Sequence, residues 1–243
     1  MVIIFEKGKE KTEMRLAIIP ARGGSKRIPR KNIRDFCGKP ILAYSIEAAL
    51  EAGVFDEVMV STDDEEIARL AVQFGARVPF MRSERTAGDF ATTADVISEV
   101  LAKYSRQGRE FDVFCCVYPT APLLTSDRLR TAVQLLEESD MDGVVSVVKY
   151  GFPVQRSFVI EEGRLKVKWP EYILARSQDL EPFYHDAGQL YCLRSSRFVQ
   201  QGKMFMDRTI PLVLSEMEVQ DIDTEEDWKI AELKYEMLRH RKA

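Results

Sequence analysis

Residues 16–32, reading LAIIPARGGSKRIPRKN, constrain the fold more than any other stretch of the chain. Ala17, Ile18 and Ile19 make a continuous apolar run of strand length, Pro20 stops it, and Gly23 and Gly24 open a turn that lets backbone approach a ligand closely. A buried strand ending in a glycine-rich loop is expected. From Arg22 to Arg34 the chain carries Arg22, Lys26, Arg27, Arg30, Lys31 and Arg34, with no acid before Asp35. Cationic side chains beside outward-pointing amides suit a ligand with several phosphates.

The basic patch is local. The formal charge of the chain is −4, and because the patch contributes six positive charges, the remainder carries −10. A nucleic-acid protein usually spreads positive charge over a face, so a compact anion is the expected partner and nucleic acid is not. A length of 243 residues suffices for one large α/β domain, or a domain with a subdomain. Cys37, Cys115, Cys116 and Cys192 form no CxxC pair or His/Cys cluster, so zinc is not expected. Cys115 and Cys116 are adjacent in an apolar run, which as a strand sends them to opposite faces; buried reduced thiols in a cytoplasmic protein are the expectation. No apolar stretch is long enough to span a membrane. Residues 1–13 read as a frayed leader, with Met14 a second candidate start, and the domain proper as 14–243.

Pro40 opens a helical pattern that ends near Gly53, and EVMVS at 57–61 reads as a strand. Thr62 or Asp63 is the expected cap of the next helix. A short strand is expected at 77–80, a helix at 93–104, and a buried strand at 111–118 stopped by Pro119 and Pro122. Ser126 is the expected cap of a helix reaching about Glu138, before a strand at 143–148. This alternation predicts a mostly parallel sheet covered on both faces, with ligands beyond the carboxyl ends of its strands. The rhythm breaks at 149–187, where strand-like pieces flank a Glu161-Glu162-Gly163 turn and read as an inserted hairpin subdomain. Strands at 189–193 and 210–214 follow, then a final helix entered through Thr224, where Asp227 completes a T-x-x-D capping box.

The loop has neither Walker A nor G-x-G-x-x-G spacing, which sets aside two large nucleotide-binding classes. Taken as a whole, PARGGSKRIPRKN followed by GKP resembles the signature of the CMP-sialic acid synthetase family of cytidylyltransferases. VSTDDEEIA, FMRSERTAGDFATTADV, YPTAPLLT, RSQDLEPFYHDAGQLY and VQDIDTEEDW follow in the order expected of that family, covering the chain from Met14 to its end. YPTAP and the RSQDL and YHDAGQ segments resemble its pseudaminic acid branch. The resemblance implies a Rossmann-like three-layer nucleotidyltransferase fold of GT-A type, with the inserted hairpin as a dimerisation subdomain and a homodimer as the assembly. It further implies Mg²⁺-dependent transfer of CMP from CTP to the anomeric hydroxyl of a nine-carbon 2-keto acid sugar, releasing pyrophosphate. Pseudaminic acid is the expected sugar, with legionaminic or N-acetylneuraminic acid the alternatives.

The chemistry of single residues agrees with that reaction. Displacement at the α-phosphorus of CTP spreads charge over oxygens that fixed cations stabilise, and Arg22, Lys26 and Lys31 are the candidate phosphate ligands. By resemblance Ala21, Gly23 and Asn32 also border the nucleotide, with Ser25 a further candidate, while Arg27, Arg30 and Arg34 read as flanking charge. Asp221 and Asp223 lie two apart, so an extended segment projects both carboxylates to one face, as hard oxygen ligands for Mg²⁺. Helix capping is the rival use of such acids. Arg22, Lys31, Asp221 and Asp223 are the expected catalytic set. The resemblance places Arg82, Thr93 and Thr120 at base, ribose or sugar; Ser83 stands where proline is expected. Tyr118 replaces the glutamine of sialic acid enzymes. Arg176, Gln178, Tyr184, His185, Asp186 and Gln189 form a polar and aromatic cluster, in which the Arg176 guanidinium fits the sugar carboxylate and its neighbours fit hydroxyl and acetamido groups. Two other classes compete: a nucleotide-binding module without turnover, and a nucleotide-sugar glycosyltransferase, which also combines DxD with a Rossmann-like sheet. The C-terminal DxD and N-terminal basic loop favour a triphosphate user.

Overall fold

The computed structural model describes residues 13–240, so the expected leader lies outside the described residues except for Glu13. Strand β1 (Arg15–Pro20) runs into the basic loop, which closes through a two-residue hairpin, β2 (Asp35–Phe36) and β3 (Lys39–Pro40), onto helix α1 (Ile41–Ala52). Gly53 ends α1 in the left-handed region, φ +64°, where a side chain would be strained. Strand β4 (Glu57–Ser61), helix α2 (Glu65–Gln73), a one-turn helix α3 (Glu84–Ala87) and helix α4 (Thr93–Arg106) follow. Then come β5 (Val113–Val117), α5 (Ser126–Glu137), β6 (Gly143–Lys149), the hairpin β7 (Phe158–Glu161) and β8 (Arg164–Val167), β9 (Tyr184–Arg194), α6 (Ser195–Gln201), β10 (Thr209–Leu214) and α7 (Glu225–His240).

The main sheet has the order β10-β6-β9-β5-β1-β4, and all its strands are parallel except β9, which runs against both β5 and β6. Period-two alternation fills both faces. Ala17 and Ile19 of β1 pack with α1, α2 and α5 on one side, while Leu16 and Ile18 pack with α4 and α6 on the other. Cys115 and Cys116 fall on opposite faces as expected, both buried and unpaired. A third cluster joins Ile28 and Phe36 of the loop to Tyr44 of α1 and to Ile222 and Trp228 at the start of α7. It clamps the basic loop to the chain's last helix.

Apart from the strand expected at 77–80, the expected strands and long helices are present, with corrections at their ends. Asp64, not Thr62 or Asp63, caps α2, its carboxylate accepting from the backbone N–H of Glu66 and Ile67. Thr92 caps α4 in a box with Asp95, and Thr125 rather than Ser126 caps α5. Residues 77–80 form only a bridge between Arg77 and Met59, because Pro79 has no N–H to extend a ladder. Strand β9 begins at Tyr184, inside the stretch read as insertion. Its register against β6 slips at Ser146, where residues 187–190 bulge around Gly188, φ +62°, and the Ser146 hydroxyl bonds Leu190 at both its N–H and C=O.

The hairpin between β6 and β9 turns through Glu162 and Gly163, both at positive φ, 50° and 74°. It forms its own two-stranded sheet outside the main core.

Candidate active site

A cleft of about 410 Å³ opens at the carboxyl ends of β1 and β5. One wall is the basic loop, presenting Arg22, Ser25, Lys26, Lys31 and Asn32; the other is the 82–93 segment with Tyr118 and Thr120 at the base. Ala21 and Gly23 do not line it. Ala21 is fully buried and donates its N–H to the Ser61 carbonyl, and the Gly23 N–H is taken by Asp63 at 3.0 Å. Glycine is needed at 23 for closeness: a Cβ there would meet the Asp64 carboxylate at 2.8 Å.

The loop is held in shape by its own charges. Asn32, buried, donates to the Arg22 carbonyl at 2.9 Å. Arg30 sits in the left-handed region at φ +55° and forks onto Asp64 and Glu66 of the α2 N-terminus. Arg34 pairs with Glu225 at 2.5 Å and stacks 4.5 Å from the centre of the Trp228 ring. Arg30 and Arg34 are thus braces, whereas Arg27 turns into the site, donating to Asp223 at 2.5 Å.

Lys31 joins the cleft to the DxD segment. Its ammonium donates to the Ile222 carbonyl at 2.5 Å and lies 3.7 Å from Asp223 Oδ1. Burial pulls its pKa below the ordinary lysine value, and the charges of Asp223 and Asp221 oppose that pull. Ile222 is fully buried, so Asp221 and Asp223 on either side of it turn outward together. The protein crowded around the Asp221 carboxyl and, second, the charge of Asp223 push its pKa up. Capping does not consume this pair, because Thr224 and Asp227 take that duty: the Thr224 hydroxyl accepts the Asp227 N–H at 3.2 Å, and the Asp227 carboxylate accepts the Thr224 N–H at 2.8 Å and the Asp223 N–H at 3.1 Å. From α7, Lys234 donates to the Glu216 and Val219 carbonyls at 2.9 and 2.7 Å and staples down the approach to the pair.

Two outward carboxylates that repel each other suit a divalent cation. Among the described residues no group of three or more His, Cys, Asp or Glu side chains could hold a metal, so such an ion would complete its shell with water and phosphate. The residues therefore fit Mg²⁺ of the triphosphate-bound kind, once Arg27 releases the Asp223 oxygen.

On the opposite wall Arg82 is inside the site rather than on the surface. Its Nη2 donates to the Ser61 carbonyl at 2.6 Å, and burial lowers its pKa. Ser83, standing where proline was expected, has its own function here: its N–H and hydroxyl both donate to Glu99, at 2.9 and 2.5 Å. Thr86 and Lys103 add bonds at 2.5 and 2.7 Å. Burial alone would raise the Glu99 carboxyl, but the bonds from Lys103, Ser83 and Thr86 outweigh it and hold the pKa at about 2, against an ordinary 4.5. The folded value lies below the unfolded one, so this stabilisation is complete above pH 4.5 and drains as pH falls from 4.5 towards 2. Melting temperature in the parent should therefore drop more steeply across that window than in Glu99→Gln. Parallel curves would show that Glu99 makes no such contribution.

Thr93 and Tyr118 meet at 3.1 Å between hydroxyls, and the Tyr118 ring packs on Tyr191 at 5.5 Å. The Tyr191 hydroxyl donates to Asp186, whose other oxygen caps Gly188 at 3.0 Å. Gln189 is 2 % exposed; its Nε2 donates to the Glu218 carbonyl at 2.9 Å, while Oε1 has no hydrogen-bond partner among the described residues. The bulge thus gathers Asp186 and Gln189 beside Tyr118, whose N–H bonds the Gln189 carbonyl at 2.9 Å. Tyr184 and His185 are exposed where β9 begins. Arg176 and Gln178 do not line the cleft: they occupy an exposed turn in which Arg176 pairs with Asp179 at 2.7 Å.

Comparison with known proteins decides the family. Residues 16–230 match the cytidylyltransferase family model. The chain belongs to the cytidylyltransferase family. A pseudaminic acid cytidylyltransferase of Campylobacter jejuni is 40% identical over 223 residues, covering 91% of this chain and 96% of that protein. A CMP-N,N'-diacetyllegionaminic acid synthase of Legionella pneumophila is 36% identical over 225 residues, covering 89% and 94%. The solved structure of a CMP:2-keto-3-deoxy-manno-octonic acid synthetase complexed with CTP shares the fold, with a TM-score of 0.66 at 19% identity over 93% of this chain and 99% of that one. In this cytidylyltransferase, Arg27, Asp89 and Tyr191 lie inside the quoted motifs, but their contacts at the cleft were not readable from them. Arg27 was hidden among five similar cations, and the others act only through contacts made 63 or more residues away or across a bulge.

Proposed function

We propose that this cytidylyltransferase transfers CMP from CTP to the anomeric hydroxyl of pseudaminic acid, releasing pyrophosphate. The observation that carries the reading is the junction at Lys31, where a cleft lined by Arg22 and Lys26 meets the carboxylates of Asp221 and Asp223. Arg22, Lys26 and Lys31 would neutralise the triphosphate, and charge developing on the leaving pyrophosphate stays beside these fixed cations. Asp221 and Asp223 would hold Mg²⁺, which when bound polarises the α-phosphate and favours the alkoxide of the sugar. Arg82, Ser25, Asn32 and Thr120 would border the nucleotide, while Thr93 and Tyr118 would face the sugar, backed by Asp186 and Gln189 of the β9 bulge.

The choice of sugar is supported by the Campylobacter relative and by Tyr118; legionaminate is the second reading, supported by the Legionella relative. Arg176, Gln178 and Tyr184 would serve a site across a homodimer. Phe152, Ile160, Leu165 and Leu174 leave a hydrophobic face around the hairpin, 68% exposed or more, that a second copy would cover. No described helix is long and apolar enough to cross a membrane, and the cytoplasm is the proposed place of the reaction. Purified protein with CTP, Mg²⁺ and each sugar should release pyrophosphate with a kcat/KM for pseudaminic acid at least about tenfold above legionaminic or N-acetylneuraminic acid. The same preparation should scatter light at twice the chain mass. Absence of pyrophosphate with every nonulosonate would end the proposal.

A further inference from the structure

Two of the cations lining the cleft already hold an anion of the protein's own. Asp89 Oδ1 accepts from Arg22 at 3.0 Å and Oδ2 from Lys26 at 2.5 Å. Asp89 lies on a short strap tethered at both ends. On one side Ser83 and Thr86 are anchored to Glu99; on the other Thr92 is locked in its capping box with Asp95. Between the anchors the Ala91 N–H bonds the Gly88 carbonyl at 3.3 Å.

Little packing holds the strap down. Phe90, next to Asp89, is 100% exposed. Gly88 lies in ordinary extended backbone, and a Cβ on it would meet only the Glu84 carbonyl at 4.0 Å, so neither handedness nor space calls for glycine there. The Asp89 pairs are the strap's hold on the basic loop, and they are open to water: the side chains of Arg22, Asp89 and Lys26 are 37%, 45% and 75% exposed. Such pairs exchange at low cost.

We propose that Asp89 is a resident competitor for the cations that take the β- and γ-phosphates, yielding them to the entering triphosphate and reclaiming them to displace pyrophosphate. The inference rests on the reading above that Arg22 and Lys26 bind phosphate. On entry the triphosphate wins because it brings several charges to Arg22 and Lys26 and is also held through cytidine. After transfer, pyrophosphate has lost its covalent link to cytidine. The tethered carboxylate, present at high effective concentration, then competes on better terms. Asp89 thereby weakens both ligands by a similar factor, and pyrophosphate, without the hold of cytidine, is the one this carries to easy release.

Calorimetric titration of the parent and Asp89→Asn with CTP, CMP and inorganic pyrophosphate tests this, with Mg²⁺ present throughout. Asp89→Asn should bind pyrophosphate and CTP about two- to fivefold more tightly, the range expected when exposed ion pairs stop competing. Its affinity for CMP, which lacks both outer phosphates, should not change, and pyrophosphate should inhibit turnover at correspondingly lower concentration. Asp89→Glu should behave as the parent. Unchanged or weaker pyrophosphate binding by Asp89→Asn overturns the inference, as does equal tightening for CMP, which would be a general field effect. If the parent binds CTP and Arg22→Ala weakens that binding, only the role of Asp89 has failed. If the parent binds no CTP, the functional reading fails with it.

Discussion

Asp223→Ala is expected to lower kcat by about two to three orders of magnitude, the usual cost of losing a group that stabilises transition-state charge. Its carboxylate is one of only two outward acids beside the buried Ile222, and it is the one within reach of Lys31 and Arg27. Removing it leaves a single carboxylate for the proposed cation and takes an anionic partner from Arg27 and Lys31. CTP binding should therefore survive while turnover is lost, and raising Mg²⁺ should recover part of the rate. The checks are single-turnover pyrophosphate release with and without excess Mg²⁺, CTP titration, and a melting curve. The fold should be intact, because Thr224 and Asp227, not Asp223, form the capping box of α7. Near-parental kcat would remove Asp223 from the proposed metal site. CTP binding by a parent that never turns over would instead favour the non-catalytic module.

The second large effect is on stability. Phe36 is fully buried and makes edge-to-face contacts with Tyr44, Trp228 and Tyr235 at centroid distances of 5.4, 5.6 and 5.7 Å. Phe36→Ala should cost about 3–5 kcal/mol, from lost burial plus the cavity left among rings that cannot collapse onto it. In a chain of this size that lowers the melting temperature by roughly 10 °C. Activity should fall further than the melting curve implies at assay temperature, because this cluster docks the basic loop onto the helix that follows the DxD. Val72→Ala, on the exposed face of α2, should change stability by no more than about 0.5 kcal/mol. Equal losses for the two variants would mean that the aromatic clamp carries no special weight.

How much was legible follows from the range of each interaction. The strand into the basic loop, the central strands, the long helices and the Thr224–Asp227 box depend on neighbours a few residues apart, and they stand where the residue pattern placed them. Helix caps slipped by one or two residues because neighbouring Thr, Asp and Ser side chains are all competent. Only the backbone angle at Asp64, Thr92 and Thr125 selects among them. The antiparallel course of β9 was hidden because its first half is polar and exposed, without the alternation that marks a half-buried strand.

The same division runs through the site. The sequence by itself determined that a local cluster of cations follows a buried strand and that paired carboxylates lie near the other end of the chain, because charge and spacing are written residue by residue. Tertiary structure decided which of the six cations serve and how. Arg30 and Arg34 are spent on α2 and α7, Arg27 turns to Asp223, Lys31 bridges to the DxD segment, and Arg22 with Lys26 meets Asp89. A charge can be counted in the chain, but its partner is fixed only by the packing that brings distant carboxylates within about 3 Å of it.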